Sequence, residues 1–324
     1  MTCRICNSED NHTVYHLREM MYGTREEFEY FECSQCGCLQ IAGFPEDMLH
    51  HYPGAYYSFR KYDGRKFRGI AGRFRRKIYE SFICRKTLIQ KILFILFSDH
   101  FFYFLYTVQI NKMSRVLDVG CGNGHKYLYT MTEAGFENVA GCDPFIPGDI
   151  HYDNGLTIRK SGISGISGKW DIIMYHHAFE HVPDPLKNLQ KVHDLLDDDG
   201  VCIIRIPTVS SVAWEKYREN WFQADAPRHL FLYSVESMKI LAQQAGFRVG
   251  KVLYDSTYKQ FTESEKYVRG ISLTTPEPKG FFCYFRRKWR KIPLRRLARK
   301  LNREGRGDQA VFYFVKRNDK SSEQ

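Results

Sequence analysis

The chain has 324 residues, of which 43% are hydrophobic and 26% charged, and its formal net charge is +11. This composition excludes a disordered tail protein, a collagen-like chain and a low-complexity repeat. The length suits two domains, or one enlarged α/β domain with small attachments.

The chain opens Met1-Thr2-Cys3-Arg4-Ile5-Cys6, without the basic segment and apolar run of a signal peptide, so a cytoplasmic protein is expected. Ten cysteines are then better read as thiols or metal ligands than as disulfides. Cys3 and Cys6, and 26 residues after them Cys33 and Cys36, form two Cys-x-x-Cys pairs. Thiolates at that spacing wrap one edge of a tetrahedron, which suits structural Zn²⁺, and Asn7 and Gly37 tolerate the positive φ of the turns. With strands expected at 15–20 and 28–31, residues 1–45 read as a zinc ribbon too small to fold without metal. Unligated buried cysteines are the alternative, and Cys38 is a spare thiol nearby.

Residues 46–113 read as a basic, aromatic helical linker. The charge surplus is local: residues 60–77 carry nine Lys/Arg and one acid, and 285–306 carry eleven and only Glu304. The remainder has 28 basic against 35 acidic groups, so the bulk of the protein is not basic. Residues 92–97 and 101–108 are the most apolar, but Ser98, Asp99 and His100 interrupt them, which argues against a spanning helix. A core or dimer-contact helix is one reading. An interfacial helix on anionic membrane is the other, kept open by Arg73, Arg75, Arg76 and Lys77.

Val116 to Val119 is a short buried strand that runs into Gly120-Cys121-Gly122-Asn123-Gly124 and then a helix with Tyr127, Leu128 and Met131. Strand, glycine turn and helix make a nucleotide-handling unit, because glycines let the backbone approach a ligand. Val139 to Asp143 is a second strand ending in an acid placed to accept ribose hydroxyls. Asp118 to Gly124 follows the acid-x-Gly-x-Gly-x-Gly pattern, and over residues 114–255 and 307–316 the chain resembles class I S-adenosylmethionine-dependent methyltransferases. The resemblance implies an α/β fold with a Rossmann-like seven-stranded sheet, the last strand antiparallel. It also implies that Asp118, Gly120, Cys121, Gly122, Gly124, Asp143, His176 and His177 surround S-adenosylmethionine. A methyltransferase domain is expected at 114–319, with a basic insertion at about 256–307 and a tail at 320–324.

Residues 171–175 form the next strand, with His176, His177, Glu180 and His181 at its carboxyl end, where ligands sit in such sheets. Glu180 and His181 could equally serve loop hydrogen bonding. Asp184 caps a helix whose first residue is Pro185, and Ser234 caps another. Strands are expected at 201–206, 248–254 and 310–316. Between them, Trp221 to Leu230 resembles the Trp…Pro-Arg-His segment of small-molecule methyltransferases of polysaccharide biosynthesis. Trp221, Asp225 and Arg228 are therefore candidate substrate residues, with Tyr217 beside them, and Arg228 suits a phosphate or carboxylate. His229 is the candidate base, or a side chain that ties the loop down.

The resemblance implies methyl transfer to a hydroxyl of a sugar in a nucleotide- or lipid-linked glycan precursor. The zinc ribbon before the methyltransferase domain resembles that of some sugar methyltransferases, including carbon-methylating ones, and oxygen is favoured because further signature regions of the latter are missing. The Tyr175-His-His-Ala-Phe sequence departs from the Asn/Asp-Pro-Pro-aromatic loop of amino methylation. The basic segments, including Arg286, Arg287, Lys288, Arg290, Lys291, Arg295 and Arg296, suit pyrophosphate or anionic membrane at the inner face. An RNA or protein methyltransferase that grips a polymer is the first alternative, and an inactive binding protein the second.

Overall fold

A computed structural model of the chain describes residues 1–52, 62–84, 102–105, 107–276 and 281–317, with residues 49 and 281–288 described by backbone alone. The apolar segment 92–97, part of 101–108 and the tail 320–324 lie outside the described residues, as do the side chains of Arg286, Arg287 and Lys288.

The main sheet is built from β4 (Val116–Val119), β5 (Val139–Cys142), β6 (Ile150–His151), β7 (Thr157–Arg159), β8 (Trp170–His176), β9 (Leu196–Pro207), β11 (Phe247–Tyr254) and β12 (Gln309–Lys316). Its order is β11-β12-β9-β8-β4-β5-β7-β6. Strands β7, β5, β4, β8 and β9 are mutually parallel, and β12 runs antiparallel between β9 and β11. This is the expected Rossmann-like arrangement, with the two-residue β6 as an added eighth strand on the β7 edge. Chain order reverses between β4 and β8, and that reversal opens a crevice at their carboxyl ends.

Period-two alternation sends Leu117, Ile173, Ile204 and Phe312 to one face and Val116, Ile172, Ile203 and Val311 to the other. On the second face the apolar cluster includes Phe67, Ile83, Phe102 and Phe104, with Ile83 on α1 (Gly69–Cys84) and Leu128 on α2 (Leu128–Glu133). Arg76 of α1 pairs with the Glu133 carboxylate at 2.6 Å, and Lys112 with Glu80 at 2.8 Å, which fixes the basic helix to the sheet domain.

The first face is covered by α3 (Pro185–Leu195), α5 (Val235–Gln244) and the cysteine module. The Asp184 side chain accepts the Lys187 N–H, with Pro185 in the first turn. Ser234 and Ser237 cap one another's backbone N–H groups in a capping box. The module's sheet has the order β1-β2-β3-β10, from Thr13–Arg18, Glu27–Glu32, Leu39–Ile41 and, nearly 200 residues later, Phe231–Leu232. Its fourth strand is thus donated by the segment that follows His229. Tyr30, Phe31 and Phe231 are all buried there, at about 1.5–3 kcal/mol of stabilisation each. Metal is therefore not the module's only support.

Of the other helices, α4 (Val212–Tyr217) and α6 (Lys259–Val268) flank the segment 218–230. Helix α7 (Phe281–Arg303) carries the second basic cluster, with Ala298 and Leu301 buried. Among the described residues no helix is long and apolar enough to cross a membrane.

Candidate active site and cysteine cluster

A cavity of about 620 Å³ lies at the crevice, and the glycine turn, Asp143, His176, His177 and His229 all line it. Gly120, Gly122 and Gly124 have φ of 70°, 57° and 66°, a region side chains disfavour. A Cβ on Gly120 would lie 2.5 Å from the Ala178 Cβ, and one on Gly124 would lie 2.6 Å from Ile158 Cδ1. Asp143 Oδ2 accepts the Gly122 N–H and Oδ1 the Phe145 N–H, both at 2.8 Å, which aims the carboxylate along the turn. Burial raises the pKa of both Asp118 and Asp143, and among the described residues Asp118 Oδ1 has no hydrogen-bond partner. The Cys121 thiol, pushed up by burial, contacts the Gly122 carbonyl at 3.6 Å and also lines the cavity.

His176 packs against Phe104 and Tyr127, with ring centroids 4.3 and 4.1 Å away, and burial keeps it neutral. His177 occupies the left-handed region at φ 52°, which aims its ring across the site. Arg205 only donates, so His177 Nε2 accepts from it at 2.7 Å and Nδ1 carries the proton. That Nδ1 lies 3.5 Å from Glu180 Oε1.

His229 Nδ1 is 2.7 Å from the Gln223 carbonyl, which can only accept. The proton therefore sits on Nδ1 and the Nε2 lone pair is free, 3.8 Å from both Glu180 Oε1 and Asp225 Oδ2. Burial pushes the His229 pKa down to about 4, so the ring is neutral at pH 7. Burial also raises Glu180 to about 8, so its carboxyl is protonated there. Among the described residues neither Glu180 side-chain oxygen has a hydrogen-bond partner, which corrects the loop-bonding expectation for that residue. His181 does bond the loop, through Nδ1 to the Arg228 carbonyl at 2.7 Å. Glu180, His181 and His229 also bring ligand atoms within 4.8 Å of one another, close enough to share a cation.

Three substrate-residue expectations need correction. Trp221 is fully buried outside the cavity wall, its Nε1–H donated to Asp308 at 3.2 Å. Tyr217 is buried and its hydroxyl donates to Glu265 at 3.0 Å. Arg228 reaches the cavity wall, but its guanidinium is committed: it donates to Asp225 at 2.6 and 3.0 Å, Glu19 at 2.8 Å and the His51 carbonyl at 3.1 Å. Both Arg228 and Glu19 are 1% exposed. Burial works to raise the Asp225 and Glu19 carboxyls, yet Arg228, helped at Glu19 by the Tyr22 and Thr24 N–H groups, leaves both below the usual range. Asp225 itself lines the cavity.

The cysteine module contributes wall residues that local sequence reading missed. Met21 lies in the cavity wall, as does Tyr52 from beyond residue 45, stacked on Phe145 at 6.0 Å. Tyr30 donates to the His229 carbonyl at 2.8 Å, so the module also holds the loop that carries His229. Only Phe145, two residues after Asp143, had a local signal.

In the cysteine cluster, Cys3 and Cys36 sulfurs are 3.6 Å apart and those of Cys6 and Cys33 3.5 Å. All four ligand atoms lie within 4.8 Å of one another, against the sulfur spacing of about 3.8 Å implied by tetrahedral Zn–S bonds. The Gln40 amide donates to Cys3 Sγ at 3.1 Å and the Ile5 N–H at 3.4 Å, the charge-stabilising contacts a ligating thiolate needs. The contact with Cys36 lowers the Cys3 pKa. Cys38 stands outside the quartet.

A family model described as a methyltransferase domain matches residues 86–252, just over half of the chain. The chain belongs to the methyltransferase-domain family. The matched methyltransferase domain includes most of the Rossmann-like sheet. The chain is similar to ubiquinone biosynthesis O-methyltransferases: 38% identical over 102 residues to that of Actinobacillus pleuropneumoniae, covering 27% of this chain and 43% of that one. It is 35% identical over 105 residues to that of Haemophilus ducreyi, covering 28% and 44%. The chain thus spans less than half the length of the curated relatives it matches. A solved methyltransferase of Thermotoga maritima aligns with a TM-score of 0.42 and 17% identity, covering 74% of this chain and 99% of that one.

Proposed function

We propose that this methyltransferase transfers the methyl group of S-adenosylmethionine to a hydroxyl of a small acceptor, a sugar in a nucleotide- or lipid-linked glycan precursor. The observation that carries the reading is one cavity lined by both the glycine turn with Asp143 and the free Nε2 of His229. Asp118, Gly120, Cys121, Gly122, Gly124, Asp143, His176 and His177 would hold the cofactor, which supplies an electrophilic methyl on a sulfonium. The unpartnered Asp118 oxygen and the positive-φ turn fit such a group.

On the acceptor side, neutral His229 takes the hydroxyl proton at Nε2. The Asp225 carboxylate 3.8 Å away offsets the charge the ring then gains. The protonated Glu180 carboxyl and the His177 Nδ1–H can donate to the acceptor oxygen before the proton leaves. Arg228 positions the loop through Asp225 and Glu19. The quartet Cys3, Cys6, Cys33 and Cys36 is proposed to bind structural zinc, all four positions being filled by protein.

The sugar reading rests on the resemblance of the Trp221–Leu230 segment and of the cysteine module. A second reading, an aromatic hydroxyl borne on an isoprenoid, is favoured by the names of the curated relatives, which also support oxygen as the acceptor atom. Methyl transfer from radiolabelled S-adenosylmethionine to nucleotide sugars, lipid-linked sugars and polyprenyl phenols separates the two. Labelled sugar supports the first, and label only in the phenols overturns it.

A further inference from the structure

The basic helix α1 has no role in that chemistry, and its two faces differ sharply. Gly72, Arg76, Glu80 and Ile83 fall on one stripe, which faces the protein through Ile83 in the core and Arg76 on Glu133. The opposite stripe carries Ile70, 87% exposed, and Phe74, 68% exposed, one turn apart. Arg73 and Lys77 lie beside them and are exposed, and among the described residues neither has an acidic partner. Residues 64–79 contain no Asp or Glu. Two large apolar side chains mostly in water, framed by cations without an acidic partner among the described residues, are costly on a surface that meets only solvent.

We propose that this face of α1 docks on an anionic lipid bilayer, Ile70 and Phe74 entering the headgroup boundary while Arg73 and Lys77 meet lipid phosphates. Charge complementarity selects an anionic surface, and the exposed aliphatic Ile70 selects lipid over nucleic acid, since it offers no ring for a base to stack on. The position suits this use. Lys66, just before α1, lies 3.5 Å from Thr130 of α2, and the ring of Tyr62 lies 5.5 Å from that of His125 on the cavity wall. These contacts set the residues that lead into α1 beside the cavity wall, so a docked α1 would hold the cavity close to a membrane that presents a lipid-linked acceptor. This extends the lipid-linked form of the proposed function.

The test is cosedimentation of the full chain with phosphatidylcholine vesicles, with and without phosphatidylglycerol, for the wild type, Arg73→Gln/Lys77→Gln and Ile70→Ser/Phe74→Ser. The wild type should bind the anionic vesicles selectively and less well at high salt. At about fivefold per charge lost, the charge variant should bind about 30-fold more weakly. The apolar variant should also dissociate. Binding that ignores phosphatidylglycerol, survives both variants, or goes to single-stranded RNA instead of vesicles overturns the proposal. S-adenosylhomocysteine titration of the same preparations reads the catalytic assignment separately: variants that bind it as the wild type does yet still sediment refute only the docking face.

Discussion

Replacing Arg228 by Met would strip the charge from a site where three segments converge. In the wild type the guanidinium is 1% exposed and joins Glu19 of the cysteine module to Asp225 of the loop that carries His229. Without it, Glu19 keeps the Tyr22, Gly23 and Thr24 N–H donors at 2.9–3.0 Å, whereas Asp225 loses both of its Arg228 bonds. Breaking a buried pair on one side costs about 3–5 kcal/mol, which at 2–4 °C per kcal/mol is about 6–20 °C in Tm. Both carboxyls have folded pKa values below their usual range, so their stabilisation is complete above that range and fades as pH falls through the folded values. The gap between wild type and Arg228→Met should therefore be widest near neutral pH and narrow in acid. Calorimetric unfolding of both proteins from neutral pH downward measures it. An unchanged Tm at neutral pH would refute the structural role and return Arg228 to the acceptor.

His229→Gln removes the proposed base; turnover should fall about 10²–10⁴-fold with S-adenosylhomocysteine affinity intact, and unchanged turnover rejects that role. Activity lost on chelation and restored by a divalent cation would instead assign Glu180, His181 and His229 to that cation. Gly120→Ala combines φ 70° with a 2.5 Å approach to Ala178 and should weaken cofactor binding at least about tenfold, read by calorimetry. Cys33→Ser should lower bound zinc from one equivalent per chain and loosen the β3–β10 pairing, seen as faster amide exchange at Phe231 and Leu232. Full zinc content in that variant would contradict the quartet.

Where local structure depended on a contiguous motif, it was legible from residue order. The glycine turn, Asp143 at a strand end, and the Asp184 and Ser234 caps are local, because each is fixed by the dihedrals and hydrogen bonds of a few neighbouring residues. Arg228 shows the limit. Its partner Glu19 lies more than 200 residues upstream, and a lone Arg in a loop reads equally well as a ligand for an anion. Trp221 failed for the same reason, since only the fold shows that Asp308 takes its N–H. The joining of β10 to the cysteine module rests on two residues, too short a run for periodicity to register. Glu180 was ambiguous because its meaning lies in the absence of partners for a buried carboxyl, a property of the packed site.

Calorimetric titration of the purified, zinc-analysed protein with S-adenosylmethionine and S-adenosylhomocysteine tests the central claim most directly. The account predicts one site per chain with Kd values near micromolar, about −8 kcal/mol. Folded, zinc-loaded protein that binds neither compound would contradict it.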